Sequence, residues 1–178
     1  MSEFEFLSVM VSIIFGLGLT HILRGAVSQI FRKQALDLRL VYAGFFVVVL
    51  VLNWWVFFSW RNNEIWSFER FLVLVLWAIL HYVVAITLYR PDDAQSDNRF
   101  QLHLFLLAFV MTGLFDILQT AMRGNLFEPW YYLPFVGHYI VLSSAGYLIK
   151  SAAFHRVLST WFLVSILTWA LVVRRFLA

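Results

Sequence analysis

The sequence predicts an all-α integral membrane protein with six transmembrane helices. Three observations carry this prediction. Of the 178 residues, 62% are hydrophobic and only 13% are charged. The mean hydropathy is +0.82. Apolar runs of membrane length recur along the chain, separated by short polar stretches. A soluble domain is about half apolar and about a quarter charged. A chain of this length could not hide so much apolar surface inside itself, so its expected solvent is lipid.

The spans are placed at about 6–30, 40–60, 69–89, 101–122, 133–151 and 157–176, each near the ~20 residues that a spanning helix needs. The chain opens with MSEFEF. That acidic opening lacks the basic start of a cleaved signal, so the run is read as a retained span. RKQALDLR follows it, and RNNEIWSFER separates spans two and three. RPDDAQSDNR joins spans three and four, with Pro91 barring helix continuation. RGNLFEPWYYLP leads into span five, where Pro134 falls in the first turn and its missing N–H costs least. Trp60, Trp66, Trp130, Tyr131 and Tyr132 gather at span ends as interfacial aromatics do. No linker is long enough to divide the chain, so residues 1–178 are read as one transmembrane domain.

Charge orients the spans. Arg32, Lys33, Arg39, Arg90, Arg99, Lys150 and Arg156 follow spans one, three and five, against Arg61, Arg70, Arg123, Arg174 and Arg175 on the other side. Basic loops stay in the cytoplasm, so a multi-pass protein of the cell membrane with both termini non-cytoplasmic is expected. The formal net charge of +3 is scattered and forms no basic tract, so no nucleic-acid partner is expected. With no cysteine, disulfides, thiol chemistry and cysteine-ligated clusters are excluded.

Two stretches resemble each other. GLTHILRGAV at 18–27 and GLFDILQTAM at 113–122 agree at five of ten positions, placing His21 opposite Asp116. Three spans per half would invert the second half, giving a 3+3 inverted repeat. The plainer explanation is that Leu, Gly and Ala coincide often in membrane helices.

Ionisable residues inside membrane spans are costly and mark functional sites by default. The first span carries Thr20, His21 and Arg24, with His21 and Arg24 within about one helical turn of each other. At about 1.5 Å per residue, these two and His81 fall on the cytoplasmic side of the midplane, with His103 near a span end. Asn53, Asp116, Gln119 and His138 fall on the opposite side, with Asn53, Asp116 and His138 each roughly 4–8 Å from the middle. Asp116 must either bind a proton or find a cation, and His138 is the histidine at its level. Each residue also has a structural explanation. Arg24 can snorkel to the headgroups. His81 can donate to a backbone carbonyl. Gln119 and Thr120 can turn Asp116 into helix glue.

Three functions follow from this set. The first is a channel or transporter moving protons, ions or a small solute past His21, Arg24, His81, Asp116, His138 and Asn53. The second is a non-catalytic interaction subunit whose polar residues fix packing and homo-oligomer assembly. Ser8, Ser12 and Gly16 form a small-residue row on span one, with Gly18 and Gly25 a heptad apart, and span five carries Gly137, Ser143, Ser144, Ala145 and Gly146. Such residues let membrane helices approach closely, so spans one and five are expected to be central. The third is a haem or metal protein using His21 and His81, which share a level. No HxxxH or HxxE spacing supports a metal site, and phosphate loops and nucleophile–base motifs are absent, so neither a cofactor nor catalysis is the first expectation.

Overall fold

A computed structural model describes residues 2–31, 38–63, 65–89, 98–124 and 126–173. It contains six α-helices: α1 (Glu3–Phe31), α2 (Leu38–Phe57), α3 (Phe68–Leu88), α4 (Asn98–Met122), α5 (Tyr132–Leu148) and α6 (Ala152–Thr168). A 3-10 turn, Phe58–Asn62, extends α2, and a π-helical turn, Trp169–Val173, extends α6. Five segments are long and apolar enough to cross a membrane: Glu3–Phe31, Leu38–Asn62, Phe68–Leu88, Leu102–Met122 and Ala152–Val172. The loop at 90–97, the stretch at 32–37, and Arg174 and Arg175 lie outside the described residues, and with them part of the charge count.

Local chemistry sets the helix ends. At the start of α1, the Ser2 hydroxyl accepts from the Glu5 N–H at 3.2 Å, and Glu5 Oε2 accepts from the Ser2 N–H at 2.9 Å. This reciprocal pair is a capping box, and it satisfies two of the donors that a helix start leaves open. Ser67 Oγ caps α3 by accepting from the Arg70 N–H, and Ser151 Oγ caps α6 by accepting from the Phe154 N–H. Beyond α4, Gly124 takes a φ of +85°, the left-handed conformation that closes a helix without a Cβ clash. The fifth helix stops earlier than the apolar run predicts. Ile149 turns extended at φ −90° and ψ 116°, its N–H still reaching the Ala145 carbonyl, and Ser151 then starts α6.

The helices close into a ring in the order α1, α3, α4, α5, α6, α2, and α2 also touches α3. The two halves of the chain pack differently. α1 lies along α3, whereas the corresponding pair, α4 and α6, makes no comparable contact, and α4 lies along α5 instead. The inverted repeat therefore has no counterpart in this helix arrangement.

Buried aromatics fill one half of the ring. Tyr42, Phe45 and Phe46 of α2 meet Phe105 and Phe109 of α4, Tyr139 of α5 and Phe162 of α6. Phe45 and Tyr139 each lie 5.0 Å from Phe162, and Phe45 lies 5.3 Å from Phe109, centroid to centroid. These spacings fall in the favourable range for tilted and edge-on rings, about 4.5–7 Å. The outside is apolar too. Leu72, Leu76 and Ile79 on α3, Leu107, Met111, Leu114 and Leu118 on α4, and Val157, Trp161 and Val164 on α6 are exposed. They recur at helical spacing as continuous apolar stripes. Stripes of this extent have no place in water and point to a membrane location.

The expected centrality of the first span within the protomer is corrected, whereas on α5 a Cβ at Gly146 would overlap Leu158 at 2.8 Å and Leu106 at 2.9 Å, so its small residues do lie in helix contacts. In α1 only 28% of the most apolar window is buried, against 39% in α2 and in α3. The small residues of α1 divide by face. A Cβ on Gly16 would meet nothing within 4 Å, so the row ending there points outward. The heptad pair faces α3. A Cβ on Gly18 would touch Ala85 at 3.6 Å, and one on Gly25 would overlap the Tyr89 ring. Tyr89 holds α1 at three successive turns: its carbonyl accepts from His21 Nε2, its ring covers Gly25, and its hydroxyl donates to Gln29 Oε1 at 2.8 Å. The residues 21, 25 and 29 are four apart and so share one helix face.

Gly25→Ala is expected to displace Tyr89 and destabilise the protein by about 1–3 kcal/mol, as overpacking does. Gly16→Ala has open space and gains helix propensity, so its unfolding temperature in detergent should equal or exceed wild type. Equal unfolding temperatures for the two variants would disprove the α1–α3 contact.

Candidate functional site

A partly enclosed cavity lies inside the ring between α2, α4, α5, the middle of α3 and the end of α6. Its volume is about 90 Å³, room for several waters at roughly 10–15 Å³ each. Its walls are Val49, Leu52, Asn53 and Val56 of α2, His81 of α3, Phe109, Thr112, Gly113, Asp116, Gln119 and Thr120 of α4, and Tyr132, Phe135, Val136, Tyr139 and Ile140 of α5. Arg123, Ile166 and Trp169 complete it. The lining runs from His81 at mid-bundle to Arg123 and Tyr132, at the end that carries the N-terminus and the α4–α5 turn. The aromatic packing of Phe45, Phe109, Tyr139 and Phe162 closes it toward the other end.

Asp116 organises the polar wall. The Tyr132 hydroxyl donates to Asp116 Oδ2 at 2.8 Å, with Thr120 Oγ1 at 2.9 Å and the Asp116 carbonyl at 3.0 Å as its other acceptors in reach. Gln119 Nε2 donates to Asp116 Oδ1 at 3.2 Å and to Thr120 Oγ1 at 3.1 Å. Gln119 Oε1 accepts from the indole N–H of Trp60 at 2.9 Å. Both amide protons and the amide oxygen of Gln119 are thus engaged. Arg123 acts on the carboxylate electrostatically. The Arg123 guanidinium also donates to Ser59 Oγ, which donates in turn to the Val56 carbonyl at 2.7 Å. Helical phase explains the grouping. Residues 116, 119, 120 and 123 lie three and four apart on one face of α4.

A second polar pair sits deeper. His81 Nδ1 donates to the Trp77 carbonyl one turn back at 2.8 Å, and Nε2 accepts from Asn53 Nδ2 at 3.0 Å. A carbonyl can only accept and the amide nitrogen can only donate, so these partners select the neutral Nδ1–H tautomer. Phe15, Phe46 and Trp77 enclose the ring.

The structure redistributes the residues that depth had sorted into two levels. His81 joins Asn53 and the Asp116 wall instead of the set with His21. Side chains lean toward the N-terminus of their own helix. α2 and α3 are antiparallel, so Asn53 and His81 lean toward each other across the gap that their backbone depths imply. His21 lines the α1–α3 contact, where it binds the Tyr89 carbonyl beyond the end of α3, an acceptor no later helical turn satisfies. Arg24 and Thr20 face outward. His103 stands beside Tyr147 and His155 near the opposite end of the ring.

The pairing of His138 with Asp116 is not found. Tyr132 and Tyr139 are seven residues apart and share the cavity face of α5, while His138 is turned by about 100° from Tyr139. It borders an apolar groove with Val141, Leu142, Phe154, Val157, Leu158 and Trp161 instead. His21 and His81, the pair considered for haem or metal, stand in separate contacts. Both ring nitrogens of His81 are engaged, and Nε2 of His21 is tied to Tyr89. Among the described residues, no three His, Asp or Glu side chains cluster as metal ligands would.

Sequence reasoning passed over three members of the site. Arg123 reads as a loop charge, and Trp60 and Tyr132 read as interfacial aromatics. The signal for Arg123 is its spacing, two turns from Asp116 on the same face. Comparison with protein-family models, curated proteins and solved structures finds no match to this chain, so its function is argued from its own geometry.

Tyr132→Phe leaves the Asp116 carboxylate one donor short and is expected to cost about 1–3 kcal/mol of stability. Asp116→Asn should cost less in the Tyr132→Phe background than in wild type, because the two groups share one bond. Strictly additive losses in the double-mutant cycle, measured by thermal unfolding in detergent, would show that the bond does not form.

Proposed function

We propose that this chain is a six-span membrane protein that admits a small solute into a one-ended cavity, in the manner of a carrier. α5 serves as the sixth span. Its 17 residues reach roughly 25 Å, close to the hydrocarbon thickness of about 30 Å. The observation that carries the reading is the cavity itself: mostly apolar walls, a few convergent polar groups, and a position between the helices of a bundle, as ligand sites have. The aromatic plug argues against an open pore and for a pathway that needs the helices to shift. With both termini outside the cytoplasm, the cavity faces the non-cytoplasmic side.

The second reading is the interaction subunit. It is favoured by Gly16 and Gly137, where an added Cβ would meet nothing within 4 Å, leaving room for a second copy to approach closely. In that reading Gly16→Leu lowers the oligomeric mass of the purified protein. An unchanged mass by light scattering removes the basis for a copy docked at Gly16.

The absence of native cysteine allows a direct test of the cavity. Val56→Cys and Thr112→Cys place single thiols near the mouth and deep in the wall. In reconstituted vesicles, a small cationic methanethiosulfonate should label both from the face holding the N-terminus. Phe105→Cys, within the plug, should stay unlabelled. Labelling of Val56→Cys without Thr112→Cys would reduce the cavity to a surface dimple and defeat the carrier reading.

A further inference from the structure

Resting on the carrier reading, we propose that the ligand of this cavity is a small ammonium ion, ammonium itself or methylammonium, held by Asp116, Thr112 and Asn53. Its N–H groups donate to the oxygen atoms of these side chains, and the aromatic walls face its charge.

The hydrogen-bonding capacity left in the wall is mostly that of acceptors. Thr112 spends its hydroxyl hydrogen on the Phe109 carbonyl at 2.7 Å, so only its oxygen lone pairs remain. Tyr132 spends its own on Asp116 in the same way. Asn53 gives one amide hydrogen to His81 at 3.0 Å, and its amide oxygen has no donor among the described residues. Asp116 accepts one hydrogen bond at each carboxylate oxygen, where a carboxylate offers about four acceptor positions. Both His81 nitrogens and the Gln119 amide are engaged. Arg123 is already engaged with Ser59 and acts on the carboxylate, so the site does not call on it as a partner. The uncommitted donors beside these acceptors are one amide hydrogen of Asn53 and the Thr120 hydroxyl. A solute that satisfies this wall must therefore bring donors, and a cation brings them with the charge that makes a hydrogen bond to a carboxylate strong.

Position keeps such an ion away from Arg123. Along α4, Thr112 lies about 6 Å to one side of Asp116 and Arg123 about 10.5 Å to the other. Thr112 and Asp116 are four residues apart and share one helix face, and Asn53 lines the same cavity from α2. An ammonium between Thr112 and Asp116 leaves the carboxylate between itself and the guanidinium. Phe109, Phe135, Tyr139 and Trp169 also line the cavity, and aromatic faces attract ammonium groups. A few acceptors among ring faces suit an ion with N–H groups better than a hard metal cation, which takes oxygen ligands throughout. Size agrees as well. The cavity of about 90 Å³ has room for several waters, and an ammonium ion is close to a water molecule in size.

The test is thermal unfolding of the full-length protein in detergent, at neutral pH and constant ionic strength, with ammonium, methylammonium, tetramethylammonium, sodium or potassium as the chloride salt. At ten times its dissociation constant, an ion that binds only the folded state raises the folded-to-unfolded ratio about elevenfold. That lifts the unfolding temperature by about 3–6 °C for a chain of this size. Ammonium and methylammonium should do so at concentrations where the other ions do not. Asp116→Asn should remove the shift. Thr112→Val keeps the shape of the side chain without its oxygen, and should raise the ammonium concentration required by roughly tenfold, as loss of a hydrogen bond to a charged group does. Should Asp116→Asn fail to fold, Thr112→Val decides alone, and an unchanged ammonium dependence there overturns the site. An equal shift with sodium, potassium or tetramethylammonium overturns the N–H ligand, as does a shift that survives Asp116→Asn. No shift with any salt, while the Thr112→Cys thiol reacts in vesicles, overturns the ligand and leaves the carrier reading standing. A Thr112→Cys thiol that never reacts overturns the cavity and the ligand with it.

Discussion

The constraint on which the rest depends is the placement of the half-buried Asp116 inside an apolar bundle. A carboxylate away from water has to be surrounded by donors. Asp116 draws them from α5 through Tyr132 and from its own helix through Gln119. Gln119 is held in turn by Trp60, beyond the end of α2. A single carboxylate thus fixes how three segments meet at one end of the ring.

The two halves of the ring differ in kind. Toward the start of α2, the interior is closed by rings in tilted and edge-on contact, which pack at high density without needing a partner for a polar atom. Toward the N-terminal end of the chain, the interior is hydrogen-bonded and hollow. The neutral His81 and Asn53 stand at the boundary, with Phe46 on one side and Asp116 among the cavity walls on the other. The interior of the bundle is thus divided into a packed half and a hollow half.

α1 is attached by a different device. It contributes Phe15 to the surroundings of His81 but none of the cavity walls. Its contact with α3 runs through Gly18 and Gly25, where the backbones come close, and through the Tyr89 side chain and carbonyl. His21, the most conspicuous residue of the first span, acts there as a donor to a helix-end carbonyl. Its chemistry is used within a helix contact and not in the cavity.

Composition and the recurrence of apolar runs were enough to determine helices, their order and their approximate limits, because a backbone in lipid must satisfy its own hydrogen bonds and an α-helix does so within one segment. Asp116 was legible as a residue needing partners, and Gln119 and Thr120 as two residues near enough to help. The partner from α5 was not legible, since depth along a helix leaves its rotation open, and one residue's difference in phase exchanges Tyr139 for His138. Only the tertiary structure decided that His81 meets Asn53, that His21 belongs to Tyr89, and that Arg123 turns inward. Those pairings depend on which helices are neighbours. Apolar faces of similar composition pack against one another with little preference, so the neighbours are chosen by packing across the whole ring and not by any one span.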